Sequence, residues 1–185
     1  MSTIRVGNIG PLTGNTSVIA DPGVSGGGTS LVSQTIAASG TSSIAFTNIP
    51  SWTRRITISF GGLVYASSEN TRIRIGSGGS LQSTGYGGAG GWFGGVSSGM
   101  TNSVTTGMDF YGENYNTAKY GICTLILANP SSYTWVYNGW ITTTSNPYIF
   151  GINGGVSLSG VLTNLSILGL SGGNMNSGSV TCLYE

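Results

Sequence analysis

Asp109 and Glu113, in the stretch "MDFYGEN", are the only close acidic pair in a chain of 185 residues that has five carboxylate side chains and no histidine. Glycoside hydrolysis needs two carboxyls roughly 5 to 10 Å apart across a sugar. A sequence without histidine lacks the most versatile general base and the usual metal ligand, and it cannot build Ser-His-Asp or Cys-His nucleophile systems. The simpler reading of the pair is a solvated loop. Asn114 and Asn116 add oxygen donors, which makes a calcium loop the second reading, but calcium takes about six to eight oxygens and the spacing is not that of an EF-hand. No catalytic residue, cofactor or metal is assigned on this basis.

Gly85-Tyr86-Gly87-Gly88-Ala89-Gly90 spells the GxGxxG of dinucleotide sites. That spelling has meaning only where a strand precedes it and a helix N-terminus follows. Here "GWFGGVSSGM" follows, with glycine at four of ten positions, which cannot hold a helix. Residues 83–100 are instead expected to form a long Gly-rich loop between two strands, anchored by Trp92 and Phe93. The aromatics Tyr86, Trp92 and Phe93 either pack inward or stand as a platform on which sugar C–H faces stack. Tyr86 is expected to be the exposed one. Arg72 and Arg74, alternating in "TRIRIG", share a strand face; it is either an ordinary solvated face or a grip on a neighbouring subunit or an anionic glycan. Receptor contact is therefore assigned to Tyr86, Trp92, Phe93, Arg72 and Arg74.

The elements that must hold these residues read as strands. "RRITISF" puts Ile56, Ile58 and Phe60 on one face, and further runs of β type cover 31–38, 43–47, 119–129, 133–143, 148–152, 156–170 and 179–185. Turn chemistry such as "NPSS" and "SGGN" separates them. The expected fold is all-β, an antiparallel sandwich or jelly roll over 29–185. In "YTWVYNGWITT" the alternation of Trp135 and Tyr137 slips at Asn138-Gly139 before Trp140, which suggests a turn or bulge there. Arg54 and Arg55 open a strand on opposite faces, so one of them turns inward or lies at the domain's edge, where it must find a carboxylate or carbonyl partner. Cys123 and Cys182 match no zinc spacing and read first as buried free thiols, with a disulfide as the alternative.

Residues 1–28 differ from the rest. Ile4, Val6, Ile9, Leu12, Val18 and Ile19 are interrupted by Gly-Pro, Gly-Asn and Asp-Pro-Gly, and the segment ends in "SGGG". It is too broken to bury a core alone, so it is expected to be an extended attachment segment that packs on another chain, followed by a hinge. No run reaches the ~20 apolar residues of a membrane span, and membrane insertion is not expected. Six basic against five acidic residues leave a net charge of +1. Such a surface offers no basic patch for nucleic acid. Its polarity comes from Ser, Thr, Asn and Gly, which suits a protein held in an assembly.

"NIPSWTRRITISFGGL", followed by "IRIGSGGSLQSTGY" and the terminal "SGSVTCLYE", resembles the C-terminal domains of bacteriophage tail fibre-like virion proteins, especially of marine and cyanobacterial phages. The opening "STIRVGNIGPLTGNTSV" is similar to N-terminal segments of such proteins. Where typical relatives carry an acidic turn, this chain has Gly76-Ser77-Gly78-Gly79. The resemblance implies a non-enzymatic structural protein, a homotrimer assembled in the host cytoplasm and residing on the virion. It implies host attachment through a bacterial surface glycan or protein receptor, with Ile4, Arg5, Val6, Ile9 and Leu12 docking on another virion protein. A capsid decoration, capsid fibre or neck protein is the runner-up, and a capsule-degrading depolymerase is a third reading from a different class.

Overall fold

The computed structural model describes residues 31–94, 97–101, 104–111 and 116–185. The segment 1–28 expected to serve in attachment, and with it Ile4, Arg5, Val6, Ile9 and Leu12, lies outside the described residues, as do Glu113 and Asn114. Among the described residues there is no helix, and the strands form two antiparallel sheets. The strands are β1 (Val32–Ala37), β2 (Ser43–Thr47), β3 (Arg55–Tyr65), β4 (Thr71–Ser77), β5 (Ser80–Leu81), β6 (Gly87–Gly94), β7 (Ser97–Thr101), β8 (Met108–Phe110), β9 (Lys119–Asn129), β10 (Thr134–Thr143), β11 (Asn146–Ser157), β12 (Leu162–Gly169) and β13 (Met175–Tyr184).

The large sheet has the order β1-β13-β3-β9-β10-β11-β6-β7. The small sheet runs β2-β12-β4-β5, with β8 also paired to β4. Alternation decides which side chains meet between them. Ile56, Ile58 and Phe60 of β3, Leu125 of β9 and Val180 of β13 face Ile44 and Phe46 of β2, Ile73 and Ile75 of β4, and Leu165 and Ile167 of β12 in one buried cluster. Phe60 meets Phe110 of β8 edge to face, with centroids 6.0 Å apart. At about 1.5–3 kcal/mol per fully buried aliphatic or aromatic side chain, this two-layer core is what offsets the ordering of so many glycines. The fold is an antiparallel β-sandwich.

Several local expectations need correction. Residues 87–94 and 97–101 are strands, not a loop: β6 pairs residue by residue with β11 and with β7. Glycine is a poor strand former in isolation. Here Gly87, Gly88 and Gly91 stand opposite Gly155, Gly154 and Gly151, so two side-chain-free backbones run together. No slip occurs at Asn138-Gly139 either. Gly139 takes the inward position between Tyr137 and Ile141, which turns Trp140 outward, and the irregularities of β10 fall at Thr134/Trp135 and Thr142/Thr143. The run 156–170 is two strands, broken between Ser157 and Leu162.

Cys123 and Cys182 are both free and fully buried. They flank Ile58 from the two strands on either side of β3. Two strand spacings of about 4.8 Å put their Cα atoms roughly 9–10 Å apart, beyond the ~7 Å limit for a disulfide. The Arg54 guanidinium donates to the carbonyls of Ser51 and Thr53, and Arg55 lies 3.4 Å from Glu185. Both arginines are exposed where β3 begins, so neither turns inward, and each still has a carbonyl or carboxylate partner.

Candidate functional site on the outer face of the large sheet

The outer face of the large sheet divides into two halves. On β1, β13 and β3 the outward residues are mainly hydroxyl-bearing: Ser33, Thr35, Thr181, Ser59 and Thr57, with Thr35 and Thr181 hydrogen-bonded at 2.8 Å. On β9, β10, β11 and β6 the same alternation exposes Tyr120, Ile122, Ile126, Val136, Trp140, Ile149 and Phe93, each between 42% and 53% exposed. A polar row of Asn153, Asn138 and Thr124 crosses the same face and sets Val136 and Ile126 apart from Phe93, Ile149, Trp140, Ile122 and Tyr120. Isolated exposed apolar residues are ordinary, whereas a group of five on four adjacent strands is the kind of feature that marks a contact surface.

Its most shaped part is a shallow trench of about 100 Å³ bordered by Phe93 and Trp140. The two rings stand 6.1 Å apart and tilted by 48°. Ala89, Gly91 and Gly151 lie on the trench lining, and the exposed Asn153 adds an amide. The floor requires glycine: a methyl placed on Gly151 would sit inside the Trp140 indole. The inward turn of Gly139 and the bare backbone at Gly151 together lay the Trp140 ring against the sheet. An aromatic pair above a backbone floor, with an amide beside it and no charged group among its lining residues, can stack against an apolar face and bond a few hydroxyls.

The other sequence candidates lie elsewhere. Tyr86, expected to be exposed, is 3% exposed. Its hydroxyl accepts from the Ile75 N–H at 2.9 Å and has the carbonyls of Ile75 and Gln82 within 3.3 Å, so it fills a gap in β4 pairing between β8 and β5. Burial pushes the phenol up to about 12, against the partly compensating bond to the Ile75 backbone. Tyr86 is thus a core residue and no contact for a receptor. Trp92 points the other way from Phe93 and is partly buried against the core, with its ring over Gly99.

Arg72 is not an open grip. Its Nε and one terminal nitrogen donate to both oxygens of Asp109 at 2.6 Å, with side chains only 11% and 1% exposed. The hydrogen bond to Asp109 raises the guanidinium above its usual range, against the opposing effect of burial. This fork arrangement is the strong geometry for an arginine–carboxylate pair. It also commits both oxygens of Asp109, the described member of the acidic pair. Arg74 donates to the Thr106 carbonyl at 2.9 Å. Both arginines belong to the outer face of the small sheet, so they and Phe93 do not form one site. Among the described residues no three of His, Cys, Asp and Glu gather closely enough to hold a metal ion.

The sequence singles out Phe93, whereas for Trp140 it shows only a residue following an expected slip at Asn138-Gly139. The signal that could have found it is a strict period of two through Trp135, Tyr137, Gly139 and Ile141, with glycine accepted as an inward residue. Two buried charges were also missed: Lys119, whose ammonium lies 5.1 Å from the centroid of the Tyr65 ring, and Glu69, which accepts from the Ser171 N–H at 2.9 Å.

No family model and no curated protein matches the chain. Among solved structures, a human SPRY domain aligns over 93% of this chain and 97% of that one, at 13% identity and a TM-score of 0.32. The VP2 subviral particle of infectious bursal disease virus aligns over 92% of this chain and 46% of that one, at 10% identity and a TM-score of 0.14. Likenesses at this level carry no functional argument.

Proposed function

We propose that this chain is a non-enzymatic phage virion protein, a homotrimeric tail fibre or tail-tip fibre that attaches to host-surface glycan through the outer face of its large sheet. The carrying observation is the set of seven half-exposed apolar side chains on this half-face, crossed by the polar row Asn153, Asn138 and Thr124, with the Phe93–Trp140 trench within it. Support also comes from the resemblance of "NIPSWTRRITISFGGL" and "SGSVTCLYE" to tail fibre-like proteins and from the low charge.

Size decides the mode of binding. Four strands about 4.8 Å apart and seven residues at about 3.3 Å give a projected face on the order of 400 Å², about half of the ~800 Å² per partner in a standard stable interface. A single copy therefore binds weakly, and firm adhesion comes from several copies acting through effective concentration. Light scattering of the purified chain should give three copies, and multivalent display should bind cells or their surface polysaccharide where a single copy does not. A stable monomer together with no adhesion on multivalent display contradicts the reading. Locating the chain in a virion map by electron microscopy separates the tail from the capsid surface and neck.

A further inference from the structure

Strand register lays the outward side chains around the trench in rows. Across β6, β11 and β10, one row holds Phe93, Ile149 and Thr142, the next Gly91, Gly151 and Trp140, and the third Ala89, Asn153 and Asn138. Successive rows are two residues apart along each strand, about 7 Å. In the middle row the Trp140 ring lies over the bare backbone of Gly151 and is still 43% exposed, so it offers a platform.

The two sides of this platform differ. On one side Phe93 and Ile149 are 53% and 51% exposed, and the Thr142 hydroxyl of the same row is already given to the Tyr148 carbonyl at 3.1 Å. On the other side Asn153 and Asn138 stand exposed and directly opposite each other. Such cross-strand partners have Cα atoms about 4.5–5.5 Å apart. Among the described residues neither amide side chain is hydrogen-bonded within the protein, so both can donate and accept. The trench, lined by Phe93 and Asn153 alike, shares this two-sided character, and none of these residues is charged.

We infer that the platform takes a 6-deoxyhexose residue of the glycan, with its C–H face on Trp140, two adjacent hydroxyls on Asn138 and Asn153, and its C6 methyl against Phe93 and Ile149. The hydroxyls on C2 and C3 lie across a pyranose ring from C5, which carries C6, so polar and apolar edges of the sugar match those of the site. A hexose that keeps its C6 hydroxyl would place it against two apolar side chains with no partner. A uronic acid would place a carboxylate there with no cation to meet it. The face is too small for a stable protein partner. The inference rests on the glycan reading above and narrows it to a sugar class.

The test follows the Trp140 indole N–H resonance of the full-length protein, assigned by its loss in Trp140→Phe. It is titrated with L-fucose and L-rhamnose and, in parallel, with L-galactose and L-mannose, which differ from them only by a hydroxyl on C6. At least one deoxy sugar should move the resonance saturably and bind about tenfold more tightly than its hydroxylated parent. Phe93→Ser should abolish that preference, whereas Asn138→Ala/Asn153→Ala should weaken the deoxy sugar and its parent alike. Both variants should melt as the wild type does, because the altered side chains point outward. Equal affinity for the parent sugar, or unchanged affinity in the double asparagine variant, would overturn the inference. So would a resonance that moves with protein concentration and not with sugar, which assigns the face to a second copy. If no monosaccharide moves it at about 100 mM, yet host polysaccharide binds the multivalent wild type and not Phe93→Ser/Trp140→Ser, the sugar class fails and the glycan reading stands. If the polysaccharide does not bind either, both fail.

Discussion

Tyr86 shows how a residue changes meaning once its neighbours are known. In sequence it stands between Gly85 and Gly87 with no visible partner, and only the break in β4 pairing at Ile75 explains where its hydroxyl goes. Tyr86→Phe leaves the Ile75 N–H short of an acceptor and should cost about 1–3 kcal/mol in denaturant unfolding. Adhesion of the folded fraction should be unchanged. Loss of adhesion without loss of stability would return Tyr86 to the contact surface. The buried thiols carry a second residue-scale expectation. Burial pushes Cys123 up to about 12, and burial raises Cys182 as well. At neutral pH neither is a thiolate, so thiol reagents should label the native protein only at the rate at which it unfolds. Rapid labelling before unfolding would contradict their placement.

At the scale of elements, the strands that are apolar and bounded by turn residues were legible. The runs 43–47 and 119–129 coincide with β2 and β9, because both are short β-type apolar runs whose ends carry turn chemistry. The glycine-rich β6 and β7 were not legible. Their strand state comes from pairing, β6 with β11 and β7 with β6, and from the rings that cover bare backbone, and neither is a property of the segment itself. Half of the trench was hidden for the same reason, since Trp140 faces outward only because Gly139 faces in. Gly151→Val tests this arrangement. A valine side chain would displace the Trp140 ring, while β-branching favours a strand by up to about 1 kcal/mol over glycine. The two effects oppose each other, so stability should change little and adhesion should fall. Retained adhesion would show that the ring's seat on Gly151 is irrelevant.

For the whole molecule, the core makes stability sensitive to alkali. Cys123 and Tyr86 each have a folded pKa of about 12, above the unfolded values of 9.0 and 10.0, and burial is the leading cause for both. Burial raises Tyr137 and Tyr184 in the same direction. A group raised on folding contributes stability in full below its unfolded pKa and loses it as the pH climbs toward the folded value. The denaturation midpoint should therefore hold from about pH 7 to 8 and decline from about pH 9 upward. A midpoint constant to about pH 11 would mean that these groups are not buried in one core.

The central claim is that the apolar half of the large sheet is the surface that meets the host. Its most direct test is adhesion to bacterial-surface polysaccharide by multivalently displayed protein, comparing the wild type with Phe93→Ser/Trp140→Ser. Both side chains point outward, so the double variant should fold and melt as the wild type does, yet lose binding by at least about tenfold per copy, as expected when two aromatic anchors are removed. Undiminished adhesion by the folded double variant would place the contact elsewhere and contradict the account.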